Sequence, residues 1–174
     1  NATGPAIWVK SADKVFVTTA EGTQNNLSSG ADFALEEGED EPDATIFSKE
    51  DLTLNGKGSL EIRGDYKNAV TSKDDLVIGG GTFVVTAADH GLKGKDCVKM
   101  AGGTVTVTAG GDGVKSTNDE DTARGFVSID GGTLTVDAGD DGIDAQWYFR
   151  VMDGTVNVTA ADDAFHSESD GLIG

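Results

Sequence analysis

The sequence predicts an all-β fold: a right-handed parallel β-helix, a solenoid with three short strands and about 22 residues in each coil. The first observation behind this is a repeat. Gly81-Thr82 returns as Gly103-Thr104, Gly132-Thr133 and Gly154-Thr155, at spacings of 22, 29 and 22 residues, with a looser copy at Gly58-Ser59. The second is strand-type alternation inside each period. Phe83/Val85, Val105/Val107, Leu134/Val136 and Val156/Val158 fall on one face, with Thr columns on the other. The third is the punctuation. Gly and Asp recur between the apolar runs, where tight corners need a permissive backbone. No helical segment or leucine consensus supports the rival leucine-rich solenoid.

Each period carries two further strands. One follows an acidic corner, with inward positions at Val70, Leu92, Val114, Ile143 and Phe165. The other precedes the glycines, with Leu52/Leu54, Leu76/Ile78, Val98/Met100, Val127/Ile129 and Phe149/Val151 inward. Taken in order, Ala6 to Ser11 matches the strand at Ala69 to Lys73. Val15 to Thr18 is the next strand, and Thr23 to Leu27 closes that coil. Residues 28–43 break the pattern with an acidic insertion, GADFALEEGEDEPD, read as an exposed loop, with a cation site as the alternative. Coils follow at 44–67, 68–90, 91–112, 113–141 and 142–163, with a loop insertion at 116–125. Residues 1–174 thus form one β-helix domain. The chain starts and stops partway through a coil. It is therefore expected to belong to a longer solenoid, or to be completed by neighbouring copies as a homo-oligomer or end-to-end filament.

The charge balance excludes some partners. Thirty-one acidic against 13 basic residues give a net charge of −18, which argues against nucleic acid or an anionic membrane surface. No run of ~20 apolar residues is present, so membrane insertion is not expected. Asn1 is not an initiator methionine, so the chain is read as processed or excised, and its acidity suits a secreted or cell-surface protein. The lone Cys97 excludes an internal disulfide and is read as a small coil residue.

Candidate chemistry lies on the corners. Asp89, Asp112, Asp140-Asp141 and Asp162-Asp163 recur just before the strand that opens each coil. Carboxylates stacked about 4.8 Å apart repel one another. Ca²⁺ is the natural counter-ion, because it accepts several oxygens in flexible geometry. Asp144, Asn118, Asp119 and Asp121 extend the expected ligand set. Asp is also a common turn former, so a solvated acidic edge is the competing reading. Lys73, Lys93, Lys95 and Lys115 stack beside the acids and are candidates for binding acidic sugars, with Trp8 as a stacking platform for a sugar ring. The alternative for the lysines is charge balance alone.

Three segments carry a family resemblance: ATIFSKEDLTLNGKGSL, NAVTSKDDLVIGGGTFVVTAADHGLKGKD and GGDGVKSTNDEDTARGFVSIDGGTLTV. They resemble a family of secreted bacterial carbohydrate-binding proteins, right-handed parallel β-helices related in fold to pectate lyases. The resemblance spans nearly the whole chain. It implies calcium binding and affinity for cellulose-like and acidic plant polysaccharides, without cleavage. The chain departs from the family in having fewer coils, and at His90 and Asp162-Asp163-Ala164, where the usual turn is Asp-Asp-Gly.

The expected function is calcium-dependent polysaccharide binding at the cell surface or outside the cell, by a protein that is not an enzyme. Three alternatives stand beside it. A polysaccharide lyase needs an Arg or Lys base beside a calcium-bound uronate. Arg63 and Arg150 lie on other strands and Arg124 in the inserted loop, leaving Lys93 and Lys115 as candidates. A filament would use the open ends. An ice-binding face would use the Thr columns, which Val84, Asp137 and Asn157 interrupt.

Overall fold

The computed structural model describes residues 3–174; Asn1 and Ala2 lie outside the described residues. Every regular element among the described residues is a β-strand, and the strands form three parallel sheets. Successive coils contribute one strand to each sheet, so every strand inside a sheet pairs with its equivalent in the coils before and after. The alternation explains why. A chain with apolar residues at every second position buries one face only, and stacking equivalent strands gives all three faces a common interior.

The first sheet contains β1 (Ile7–Val9), β4 (Ala44–Ser48), β7 (Asn68–Ser72), β10 (Leu92–Gly94), β13 (Val114–Ser116), β16 (Ile143–Ala145) and β19 (Phe165–Ser167). The second runs β2 (Val15–Thr19), β5 (Leu52–Gly56), β8 (Asp75–Ile78), β11 (Cys97–Met100), β14 (Phe126–Ile129), β17 (Tyr148–Val151) and β20 (Asp170–Ile173). The third runs β3 (Gln24–Ser28), β6 (Ser59–Gly64), β9 (Thr82–Ala87), β12 (Thr104–Ala109), β15 (Thr133–Ala138) and β18 (Thr155–Ala160).

The register agrees with the repeat. Thr82 pairs with Thr104, Thr104 with Thr133, and Thr133 with Thr155. Val70, Leu92, Val114, Ile143 and Phe165 stack as one inward column. Leu76, Val98, Val127 and Phe149 stack as another, and Phe83, Val105, Leu134 and Val156 as a third. Together they form one continuous core. Each fully buried Leu, Ile or Val contributes about 1.5–3 kcal/mol.

Two corners need glycine for different reasons. Between the second and third sheets, Gly103 has φ 93°, a left-handed conformation that a side chain disfavours. At the entry to the first sheet the limit is space. A Cβ on Gly113 would collide with Val136 Cγ1 and stand 2.7 Å from the Gly142 carbonyl oxygen.

The acidic insertion is not simply an exposed loop. Glu41 pairs with Lys49 (3.7 Å) and Lys73 (2.5 Å), Asp43 faces Lys93 at 3.8 Å, and Phe33 stacks on Tyr66. The segment therefore straps the outer side of the first sheet. Phe47, in outward register with exposed Trp8, is fully buried at the strapped side.

Candidate functional site

The corner between the third and first sheets carries the acidic residues, and the register there differs from the sequence expectation. Asp112 stacks on His90, not on Asp89. Gly91 N–H donates to the Asp112 carbonyl, Gly113 N–H to that of Asp141, and Gly142 N–H to that of Asp163. The stacked column is therefore Asn68, His90, Asp112, Asp141 and Asp163. Asp89 falls in the neighbouring column with Gly111, Asp140 and Asp162. The single-residue offset arose because Asp-Asp pairs occur in two coils and either member fits the pattern.

The first column is a hydrogen-bonded ladder. His90 N–H donates to Asn68 Oδ1 (3.1 Å), and Asp112 N–H donates to His90 Nδ1 (3.1 Å). Asp141 N–H donates to Asp112 Oδ1 (3.0 Å), and Asp163 N–H donates to Asp141 Oδ1 (2.9 Å). Each side chain thus satisfies a corner amide of the next coil, which would otherwise lack a strand partner. His90 can serve only with Nδ1 unprotonated. Its pKa is accordingly low for a histidine, because burial outweighs the attraction of Asp89 and Asp112.

Asp112 is the most enclosed member, 1 % exposed. Its Oδ2 lies 2.6 Å from Lys115 Nζ, which also reaches Asp144 Oδ2 at 2.5 Å. Burial pulls the Lys115 ammonium down, but its hydrogen bonds to Asp112 and Asp144 outweigh that and raise its pKa. His166 Nδ1 lies 3.1 Å from Asp144 Oδ1 and 3.4 Å from Asp141 Oδ2. Its pKa is raised: burial is the largest single effect and lowers it, but the Asp144 hydrogen bond and the charges of Asp144, Asp141 and Glu168 together outweigh it. The Asp141 carboxyl is pushed up by burial and by the like charges of Asp112 and Asp144, against the Asp163 amide bond that lowers it.

Two groups of convergent ligand atoms result at this corner. Asp140, Asp141 and Asp162 bring carboxylate oxygens within 4.8 Å of one another, and so do Asp141 and Asp144 with His166. The first group is all oxygen, with Asp140 and Asp162 exposed and Asp141 half-buried, and oxygen is the donor type a hard cation such as Ca²⁺ takes. Asp163 adjoins it. The Asp112 carboxylate is already occupied by the Asp141 amide and by Lys115. Asn118 and Asp119 lie past the opposite end of β13. There Asn118 Nδ2 donates to Asp96 Oδ1 at 2.6 Å, and its Oδ1 caps the amides of Glu120 and Asp121. The structure does not bring them to the Asp112 corner.

The lysine column is present but engaged. Lys73 is held by Glu41, Lys93 faces Asp43, Lys115 bridges Asp112 and Asp144, and Lys95 lies 3.9 Å from Glu120. Trp8 stands at the far end of the first sheet from Asp144, 45 % exposed.

A further acidic corner escaped the sequence reading. Asp51, Asp74 and Asp75 converge within 4.8 Å where the first sheet turns into the second. Lys14, Lys99 and Arg124 pair with them, and Arg124 also bonds to Asp96. The signal was in the recurring runs Lys49-Glu50-Asp51-Leu52 and Lys73-Asp74-Asp75-Leu76, which the repeat stacks on one another. The buried Cys97 thiol donates to Asp75 at 3.0 Å; burial, followed by Asp75, pushes its pKa up to about 12.

Three stacked parallel sheets, one strand of each per coil, define a class: the parallel β-helix proteins. Within that class the assignment is specific. A family described as carbohydrate-binding domain-containing proteins matches residues 1–172, and the chain belongs to it. A relative of that description from Acetivibrio thermocellus is 36 % identical over 88 residues, 50 % of this chain and 31 % of the relative. The matched stretch thus spans about a third of the length of that protein. A solved structure, a polysaccharide lyase-like protein from C. thermocellum, superposes with a TM-score of 0.98 at 34 % identity, covering 100 % of this chain and 71 % of the other.

Proposed function

We propose that the chain binds acidic polysaccharide outside the cell through calcium held at the Asp140, Asp141 and Asp162 corner, and that it does not cleave what it binds. Carbohydrate binding is the property of the family. The observation that carries the finer reading is the convergence of those three carboxylates, two of them exposed, beside the Lys115 and His166 column.

Three convergent carboxylates repel each other and repel a uronate. A bound Ca²⁺ would reverse that sign and accept both protein and uronate oxygens. Asp140, Asp141 and Asp162 would hold it, with Asp144 and Asp163 alongside. The similar C. thermocellum protein was solved as a gadolinium derivative. Gadolinium, like calcium, is a hard cation that prefers oxygen ligands.

The non-catalytic reading rests on the bases. Lys115 is tied to two carboxylates with its pKa raised, the wrong direction for a proton acceptor. Lys93 faces Asp43, Arg63 bonds to Asp65, Arg150 lies by Asp130 and Ser128, and Arg124 is bound to Asp96. The extracellular reading is supported by the acidic composition, with a net charge of −18. No helix among the described residues is long and apolar enough to cross a membrane.

Calorimetric titration of the protein with CaCl2 tests the site. Asp140→Asn/Asp162→Asn should lose binding while Asp119→Asn keeps it. Equal affinity in all three proteins would refute the assignment.

A further inference from the structure

A cleft of about 340 Å³ opens between β1 and the acidic strap, lined by Trp8, Lys10, Phe33, Leu35, Glu36 and Glu39 among others. The strap side is pinned: Phe33 stacks on Tyr66 at 4.5 Å, and Ala34 N–H donates to the Thr3 carbonyl at 2.9 Å. Two features set the chemistry of the cleft. Lys10 Nζ lies 4.0 Å from the Trp8 ring centroid and has no carboxylate partner among the described residues, so the indole is the group that faces this ammonium. The strap, meanwhile, carries five acids in the six residues from Glu36 to Glu41. Glu41 pairs with Lys49 and Lys73, whereas Glu36, Glu37, Glu39 and Asp40 are exposed and have no ion-pair partner among the described residues. An aromatic face that already accepts an ammonium thus stands beside carboxylates that no cation balances. The calcium corner uses neither feature and lies at the other end of the first sheet.

We propose that this cleft docks a basic polypeptide segment, with one cationic side chain on the Trp8 indole and its neighbours along the Glu36 to Asp40 run. The ring quadrupole attracts a Lys or Arg cation over the indole face. Lys10 is the intramolecular stand-in for that group, a long flexible side chain that an incoming cation displaces or meets across the ring. The unpaired carboxylates add charge-assisted acceptors, and their combined field draws cations toward the cleft. These acids are spread over a segment and not gathered at one point, so a chain with several spaced cations matches them better than a single ammonium does. An acidic sugar would meet like charge here, and a neutral one would leave the carboxylates unbalanced. The inference rests on neither calcium nor carbohydrate binding.

The test is calorimetric titration in EDTA with hexalysine, spermine and hexaglutamate. Hexalysine should bind and hexaglutamate should not. Trp8→Ala should weaken hexalysine about fivefold, and Trp8→Phe should restore most of that loss, which a folding defect would not allow. Glu36→Gln/Glu39→Gln should weaken it at least as much. Lys10→Ala should bind more tightly than the native protein, because the indole is vacated and a like charge removed. Glu61→Gln/Asp137→Asn, which takes two exposed carboxylates from the third sheet, should leave the affinity unchanged. Equal losses in the two double variants would mean general attraction to an acidic surface and would overturn the proposal. So would unchanged affinity in Trp8→Ala, or no binding by the native protein. Tighter binding of spermine than of hexalysine overturns it in favour of a small polyamine.

Discussion

The backbone N–H of Asp141 donates to Oδ1 of Asp112 across 3.0 Å, joining one coil to the next through a side chain where the strand ladder has a gap. The same bond recurs from His90 to Asn68, Asp112 to His90 and Asp163 to Asp141. At this corner Asp112 and Asp141 each hold an amide of the next coil, and Asp140 and Asp162 stand in the neighbouring column.

Asp112→Ala should cost about 2–4 kcal/mol, because it strands a buried amide and removes one of the two carboxylates on Lys115. Asp112→Asn should cost less, since the amide oxygen still accepts from Asp141, as Asn68 does for His90. Urea unfolding of both variants checks the order. Equal losses would mean that the charge matters and the acceptor does not.

Gly113→Ala tests the closeness of the coils. The added methyl meets Val136 Cγ1 and the Gly142 carbonyl, neither of which is a flexible chain end. A loss of about 1–3 kcal/mol is expected from overpacking. Wild-type stability in a thermal melt would show that the corner is looser than described.

Cys97 should resist thiol reagents in the native state. A thiol moved from 9.0 to about 12 has roughly a thousandfold less thiolate at neutral pH, and its burial denies access as well. Labelling should follow unfolding. Fast reaction in native buffer would contradict both the burial and the raised pKa.

Calcium should raise the melting temperature progressively with the logarithm of its concentration above Kd. At a free concentration of one hundred times Kd the stabilisation is about 2.7 kcal/mol. Asp140→Asn/Asp162→Asn should abolish the shift without harming the apo protein, since both residues are exposed. A shift of the same size in the variant would place the ion elsewhere, the Asp51, Asp74 and Asp75 corner being the next place to look.

The fold was legible because one period of 22 residues contains every inward column, and a two-residue alternation leaves little freedom of register. Phe83, Val105 and Leu134 stack as their spacing implied. The corners were less legible. No alternation constrains a turn, so Asp89 and His90 were equally good partners for Asp112 until the amide bonds decided it. The engagement of Lys73 and Lys93 was invisible for another reason. Their partners Glu41 and Asp43 lie in an irregular segment that folds back across the sheet, and no period announces where such a segment lands. Asn118 was misplaced because proximity in sequence to Asp112 concealed the strand between them.

The central claim is that calcium lets this acidic chain bind an acidic polysaccharide without cutting it. Its most direct test is titration of polygalacturonate with the native protein in calcium and again in excess EDTA, while the ultraviolet absorbance of unsaturated product is followed. The account predicts binding in calcium, loss of binding in EDTA, and a flat absorbance trace throughout. Equal binding in both buffers, or a rising absorbance in calcium, would contradict it.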